Sequence, residues 1–248
     1  MKKVLLIGAQ GMDNLGDDYM YSKIVSYLKE NNCTVYASNM KTDFYFEDLC
    51  KDVIQIPVLQ YKNKIDLICR IVKEYMENIF DAVIFIGGGY TNDYFGFHWL
   101  MQLLLITLAY RKSKIIFTGQ TVGHVFSKKS ERVLKTLYKQ ADFISARDSE
   151  SHELLSSWGI DNKLIGDDAF LDTEFKLKIR NKNTGNPKRV VIVPKSFPGY
   201  EKYMDNFYRI MFSNLKDQNI KSIHIIPFRS NHNDLEYRMC ENIKKVYL

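Results

Sequence analysis

Short apolar runs of four to six residues alternate with helix-length patterns along almost the whole chain, and this alternation limits the fold more than any other feature. The strand-like runs fall at Lys3–Gly8, Thr34–Ala37, Val53–Val58, Ala82–Ile86, Lys114–Thr118, Phe143–Ala146, Val190–Val193 and Ser222–Pro227. Between most of them lie helical patterns, such as Met20, Ile24 and Leu28, or the stretches 65–79, 97–110, 130–139, 150–158 and 203–215. The strands do not alternate with polar residues, so both of their faces are expected to be buried. That is the mark of parallel sheets covered by helices on each side. The fold class read from this pattern is α/β, with Rossmann-like parallel sheets.

Composition narrows the class further. With 46% hydrophobic and 26% charged residues, the 248-residue chain can bury a sizeable core, which excludes disordered and fibrous proteins. Cys33, Cys50, Cys69 and Cys240 lack zinc-ligand or disulfide-framework spacing, so reduced thiols and a cytoplasmic protein are expected. The formal charge of +6 is concentrated in one place, since six Lys/Arg and no acid lie between Lys176 and Arg189. The near-neutral remainder argues against a nucleic-acid-binding face. The apolar start Val4–Ile7 breaks into the polar loop Asp13–Asp18 with no cleavage site, so it reads as a first strand and not as a leader. Leu100–Tyr110 is about half the length of a membrane span and reads as a buried helix.

The basic segment ends in Asn181-Lys182-Asn183-Thr184-Gly185-Asn186-Pro187, rich in turn residues and without periodicity. The expected organisation is an N-terminal Rossmann-like domain over 1–175, a basic linker over 176–188, and a partial C-terminal Rossmann-like domain over 189–248. Two strands and two helices are too few to bury both faces of a sheet, hence the expectation of an incomplete second domain.

In an open parallel sheet, ligands dock beyond the carboxyl ends of the strands. The unusual residues of this chain lie there. After the first strand come Asn14, Gly16, Asp17 and Asp18; an acid here is either a helix cap or a ligand or acid/base group. Neither a dinucleotide fingerprint nor a phosphate-binding P-loop is present. Gly87-Gly88-Gly89, with Asp93 downstream, allow a ligand to approach bare backbone, although one glycine would serve a tight turn. Gly119 and Gln120 follow the next strand, and Gln120 can read a ligand's donors and acceptors. His124 is either an exposed bystander or a proton carrier near neutral pH. Arg147 ends another strand, where its planar fork suits a carboxylate or phosphate, or pairs only with a neighbouring acid. Asp148 with Ser151 has the spacing of a helix cap. Gly166-Asp167-Asp168 adds carboxylates. No His/Cys/carboxylate group has metal-ligand spacing, so no metal is expected.

At these residues the chain resembles the polysaccharide pyruvyl transferase family. The matching blocks are Asn14-Leu15-Gly16-Asp17, Gly87–Gly89 with Asp93, Gly119-Gln120-x-x-Gly123, Arg147-Asp148-x-x-Ser151 and Gly166-Asp167-x-Ala169-Phe170. Ile225-Ile226-Pro227-Phe228 with Asp234 is a weaker sixth. The resemblance implies a GT-B-like arrangement of two Rossmann-like halves, and transfer of a pyruvyl group from phosphoenolpyruvate to a sugar, giving a ketal. A proton goes to the donor's methylene carbon, sugar hydroxyls attack the resulting cationic carbon, and phosphate leaves. It assigns Arg147 to the donor anion, and Asp17 and the triple glycine to the acceptor side. No cofactor is implied beyond phosphoenolpyruvate as donor substrate. The implied partner is an activated or lipid-linked sugar, met in the cytoplasm and possible at the membrane surface. Two departures stand out: the chain has no R-x-H motif, and His124 stands where the family usually has proline. The architecture alone also admits a glycosyltransferase using a nucleotide sugar, and a non-catalytic remnant that binds sugar or a partner.

Overall fold

The computed structural model describes residues 1–8, 14–38, 51–56, 64–77, 79–123, 125, 127–171, 188–194, 201–216, 220–226 and 235–247. Two compact units divide the chain, the first made of Met1–Met12 and Gly16–Lys176 and the second of Leu177–Leu248 together with the short stretch Asp13–Leu15.

The first unit contains β1 (Lys2–Ile7), α1 (Leu15–Glu30), β2 (Cys33–Ser38), β3 (Ile54–Ile56), α2 (Lys64–Glu77), β4 (Ala82–Phe85) and β5 (Gly88–Thr91). A short 3₁₀ turn at Asp93–Phe95 leads into α3 (Phe97–Ala109). After it come β6 (Lys114–Val122), α4 (Lys128–Tyr138), β7 (Phe143–Ala146), α5 (Ser149–Ser157) and β8 (Lys163–Leu164). All pairings are parallel, in the order β3-β2-β1-β4-β6-β7-β8, with β5 also on β6. The order runs one way from β1 to β3 and the other way from β4 onward. A topological switch point therefore falls between β1 and β4, where the connections beyond Ile7 and Phe85 diverge.

The continuous apolar strands are explained by burial on both faces. Val4, Leu6, Ile84 and Ile86 pack with Met20, Tyr21, Ile24 and Leu28 of α1. Their neighbours Leu5, Ile7, Val83 and Phe85 face the other way, onto Leu100, Leu103 and Ile106 of α3 and Leu134 and Leu137 of α4. Phe85 stacks on Phe117 at 4.4 Å between ring centroids. Each large aliphatic or aromatic side chain buried this way contributes on the order of 1.5–3 kcal/mol. α3 is apolar nearly all round because it belongs to this core. Among the described residues no helix is long and apolar enough to cross a membrane.

The second unit pairs β9 (Lys188–Ile192) with β10 (Ile220–Ile225) in parallel, accompanied by α6 (Glu201–Lys216) and α7 (Leu235–Tyr247). Ile192, Tyr208, Phe212 and Ile243 form its buried cluster. Residues 176–187 of the basic segment lie outside the described residues, and Lys188 opens β9. Among the described residues both units are thus α/β with parallel strands.

Three expectations are corrected. The strand expected to end at Thr118 continues to Val122, so Gly119 and Gln120 belong to β6 and not to a loop. The triple glycine is likewise only partly a loop, because Gly88 and Gly89 lie in β5. The length of β6 is the cause: its first half pairs with β4 and its second half with β5. Gly119 supplies the kink between these halves at φ +47, where the β6–β7 register also shifts. Thirdly, α1 begins at Leu15, which places Asp17 and Asp18 within its first turn rather than before it. Carboxylates there still complement the helix dipole.

Candidate functional site

The strand ends beside the switch point gather a polar cluster. Gln120 is fully buried in β6, and its Nε2 donates to the carbonyls of Phe85 (3.2 Å), Ile86 (3.1 Å) and Thr118 (2.8 Å). At the break between β4 and β5 it thereby shares the Phe85 and Ile86 carbonyls with the hydroxyls of Thr118 and Tyr90. Its Oε1 accepts no hydrogen bond among the described residues. Tyr90 donates its hydroxyl to Ile86 O at 2.6 Å, and burial pushes the Tyr90 pKa far up, so it stays a neutral donor. Tyr138 does the same towards Thr91 Oγ1 at 2.8 Å, and burial raises it likewise.

Asp168 is the most constrained carboxylate of the cluster. It is 9% exposed, and its Oδ2 accepts from Thr118 Oγ1 (2.6 Å) and from the Gly87 N–H (2.9 Å). Burial raises its pKa, with the Asp167 charge adding to the effect; the hydrogen bonds from Thr118 and Gly87 and the charge of Arg147 oppose it. The glycines explain the close fit. A Cβ on Gly87 would stand 2.8 Å from Asp168 Oδ2, and one on Gly119 would stand 3.0 Å from its Oδ1.

Arg147 leaves the end of β7 with its N–H bonded to Gln120 O at 3.1 Å. Its Nε donates to Thr121 Oγ1, and its Nη1 pairs with Asp167 Oδ2 at 3.2 Å. Nη2 has no hydrogen-bond partner among the described residues and lies 4.0 Å from where a Gly89 Cβ would sit. The side chain is one-third exposed. The guanidinium is thus held by two of its nitrogens and presents the third over the glycine strand. Thr121 in turn donates to Asp148 Oδ2 at 2.8 Å. Asp148 caps α5 by accepting the Ser151 N–H at 2.8 Å, and Ser151 Oγ accepts from Val122 N at 2.8 Å. Partial burial works to raise the Asp148 pKa, but its hydrogen bonds from Ser151 and Thr121 and the charge of Arg147 outweigh it and hold it low.

The structure therefore brings together Gly87, Gly89, Gly119, Gln120, Arg147, Asp148 and Ser151. Gly88 lies beside them in β5, in register with Gln120. Asp17 is close enough for its charge to act on Tyr90. Asn14 and Gly16 flank the start of α1. Asp93 turns elsewhere, accepting the Ser127 N–H at 3.0 Å ahead of α4. His124 lies outside the described residues. Thr118 and Thr121 join the cluster with no signal in the sequence, while Asp167 and Asp168, expected only as added carboxylates, lie at its centre. The doubled acid at 167–168 was the available signal, but nothing local ties it to Gly87, 81 positions earlier. Electrostatically the cluster sets one guanidinium against the carboxylates of Asp148, Asp167 and Asp168. No group of three or more His, Cys, Asp or Glu among the described residues could hold a metal.

A parallel sheet with helices on both faces and a polar cluster at the strand ends beside the switch point is a Rossmann-like α/β arrangement. The chain belongs to the polysaccharide pyruvyl transferase family, whose model matches residues 14–247. That is a transferase family. No curated protein is detectably similar in sequence. Solved structures share the fold at low identity. S. aureus MnaA, solved with UDP, superposes with a TM-score of 0.60 at 13% identity, over 99% of this chain and 67% of that one. A UDP-N-acetylglucosamine 2-epimerase from Rickettsia bellii gives 0.55 at 14%, over 99% and 67%. HepE from Anabaena, in complex with UDP and glucose, gives 0.52 at 12%, over 97% and 72%. The chain spans 65% of a further structure, from Listeria monocytogenes. These likenesses make the fold GT-B-like.

Proposed function

We propose that this chain is a polysaccharide pyruvyl transferase, moving a pyruvyl group from phosphoenolpyruvate to a sugar of a cell-surface or exopolysaccharide precursor as a ketal. The observation that carries the reading is the family match over residues 14–247, with Arg147 held at the end of β7 and its Nη2 turned over Gly89. In this reading Arg147 binds the donor's carboxylate or phosphate, and a preorganised cation there stabilises the phosphate as it leaves. Asp17 and the glycine strand shape the acceptor side. Phosphoenolpyruvate serves as substrate without a separate cofactor, and the acceptor is an activated or lipid-linked sugar met in the cytoplasm. Because Arg147 shares its surroundings with three carboxylates, the donor's negative charge demands further cations. The family resemblance assigns these to an R-x-H segment that this sequence does not contain.

Calorimetric titration of phosphoenolpyruvate, beside inorganic phosphate and the Arg147→Ala chain, tests the reading. Binding tighter than phosphate and at least tenfold weaker in the variant supports it; about 1.4 kcal/mol corresponds to that factor. The fold likeness to nucleotide-sugar proteins favours a second reading, a glycosyltransferase. Saturable binding of a UDP- or GDP-sugar with no response to phosphoenolpyruvate would select it.

A further inference from the structure

Two exposed features of the first unit adjoin one another. The first is the turn that follows β5, where Tyr94 is 76%, Phe95 51% and Phe97 41% exposed. The backbone beneath these rings is hydrogen-bonded. Asn92 Oδ1 accepts the Tyr94 N–H at 2.8 Å, and the Gly96 N–H donates to Asp93 O at 3.0 Å. Trp99 Nε1 ties the start of α3 back to β5 by donating to Tyr90 O at 2.9 Å. Three large aromatic side chains are thus held out into water side by side. Exposed apolar residues are ordinary when scattered, whereas a contiguous group marks an interaction surface.

The second feature is α4. At about 100° per residue, Lys128, Arg132, Lys135 and Lys139 fall within an arc of about 60°. That arc lies opposite the buried Ser130, Leu134 and Leu137. Lys139 continues the helix as its C-cap, with its N–H donating to Lys135 O at 3.1 Å. Lys135 pairs with Glu131 at 2.6 Å, whereas Lys128, Arg132 and Lys139 are exposed and form no ion pair among the described residues. A hydrogen bond joins the two features. The Ser127 N–H donates to Asp93 Oδ2 at 3.0 Å, so Tyr94 and Lys128 each stand one residue from the junction. α3, which packs on α4, carries no Asp, Glu, Lys or Arg to offset the stripe. Over residues 93–139 there are eight Lys/Arg against Asp93 and Glu131, a local excess of six that acids elsewhere in the chain balance.

This pairing of charge and rings indicates the partner. Cations act on a layer of anionic headgroups while aromatic rings enter the apolar boundary beneath it, which is how a peripheral protein holds an anionic membrane. A nucleic-acid strand needs rings interleaved with the cations to stack successive bases. Here the rings all lie at one end of the stripe, and Tyr94 and Phe95 meet edge to face at 5.4 Å. We infer that Tyr94, Phe95 and Phe97, together with Lys128, Arg132 and Lys139, form a surface that docks the first unit on an anionic lipid bilayer. β5 leads directly into this surface, so docking brings Gly88 and Gly89 towards the membrane. The inference rests on the exposed rings and charges and not on the donor role of Arg147.

Co-sedimentation with vesicles tests it, using phosphatidylcholine alone and phosphatidylcholine mixed with phosphatidylglycerol. The full chain should bind the mixed vesicles and not the neutral ones, and added salt should weaken the binding. Each cation at such a surface is worth about fivefold, so Lys128→Ala with Arg132→Ala should weaken binding roughly thirtyfold. Tyr94→Ser with Phe95→Ser should weaken it about tenfold or more, at unchanged net charge and unchanged far-UV circular dichroism. Arg180→Ala with Lys182→Ala removes the same charge from the basic segment and should cost less. A chain that ignores mixed vesicles at low salt overturns the inference. So does an equal loss from the two charge pairs, or no loss from the aromatic pair. A single-stranded oligonucleotide bound more tightly than the vesicles, with the same dependence on Tyr94 and Phe95, would overturn it in favour of a nucleic acid.

Discussion

Replacing Gly87 by alanine is expected to destabilise the first unit, and the structure indicates by how much. The new Cβ would stand 2.8 Å from Asp168 Oδ2 and 2.9 Å from the carbonyl oxygen of Gly119, both closer than real Cβ atoms approach. Neither obstacle is a flexible chain end. The Asp168 carboxylate is tied to Thr118 at 2.6 Å and to the Gly87 amide itself, and Gly119 is backbone at the kink of β6. Overpacking of this kind costs about 1–3 kcal/mol. The reduced freedom of the unfolded chain returns about 0.4–1 kcal/mol. The difference of the two ranges is about 0–2.6 kcal/mol, and its midpoint of about 1.3 kcal/mol reads as a fall of roughly 3–5 °C in the melting temperature. Gly89→Ala is the control, because its Cβ would meet only Arg147 Nη2, at 4.0 Å. An Asp168→Ala background removes one of the two obstacles, so Gly87→Ala should cost about 0.5–2 kcal/mol less there than in the wild type. The reasoning fails if Gly87→Ala melts with Gly89→Ala, or if its cost is the same with and without the Asp168 carboxylate.

Two further outcomes concern pH. Burial raises the Asp168 pKa in the folded state, so this group favours folding in acid and loses that contribution as pH rises through the raised value. Asp168→Asn should therefore gain stability relative to wild type between acid and neutral pH, in paired thermal melts. Asp148 behaves oppositely, since its folded pKa is held low. Asp148→Ala should cost about 1–2 kcal/mol at neutral pH through loss of the α5 cap, and the gap should narrow as pH falls through the folded value.

Much of the sheet was legible because a strand buried on both faces must be apolar throughout, as Val4–Ile7 and Val83–Phe85 are. β5 was not, because Gly-Gly-Tyr-Thr carries no apolar period and is a strand only by virtue of the partner that β6 extends to it. The same extension turned Gly119 and Gln120 from loop residues into strand residues. At the site, the cap formed by Asp148 and Ser151 lies within four residues and could be read locally. The seat of Asp168 depends on Thr118 and Gly87, 50 and 81 positions away, and only the fold brings them together.

Thr121 has one hydroxyl hydrogen, and the structure directs it to Asp148 while the oxygen receives Arg147 Nε. The polarity of this chain is therefore fixed, from guanidinium through hydroxyl to the carboxylate that starts α5. A guanidinium drawn away towards an anion leaves the hydroxyl short of its donor and loosens its hold on Asp148. Under the donor-binding role proposed for Arg147, the first turn of α5 is where such a pull would arrive.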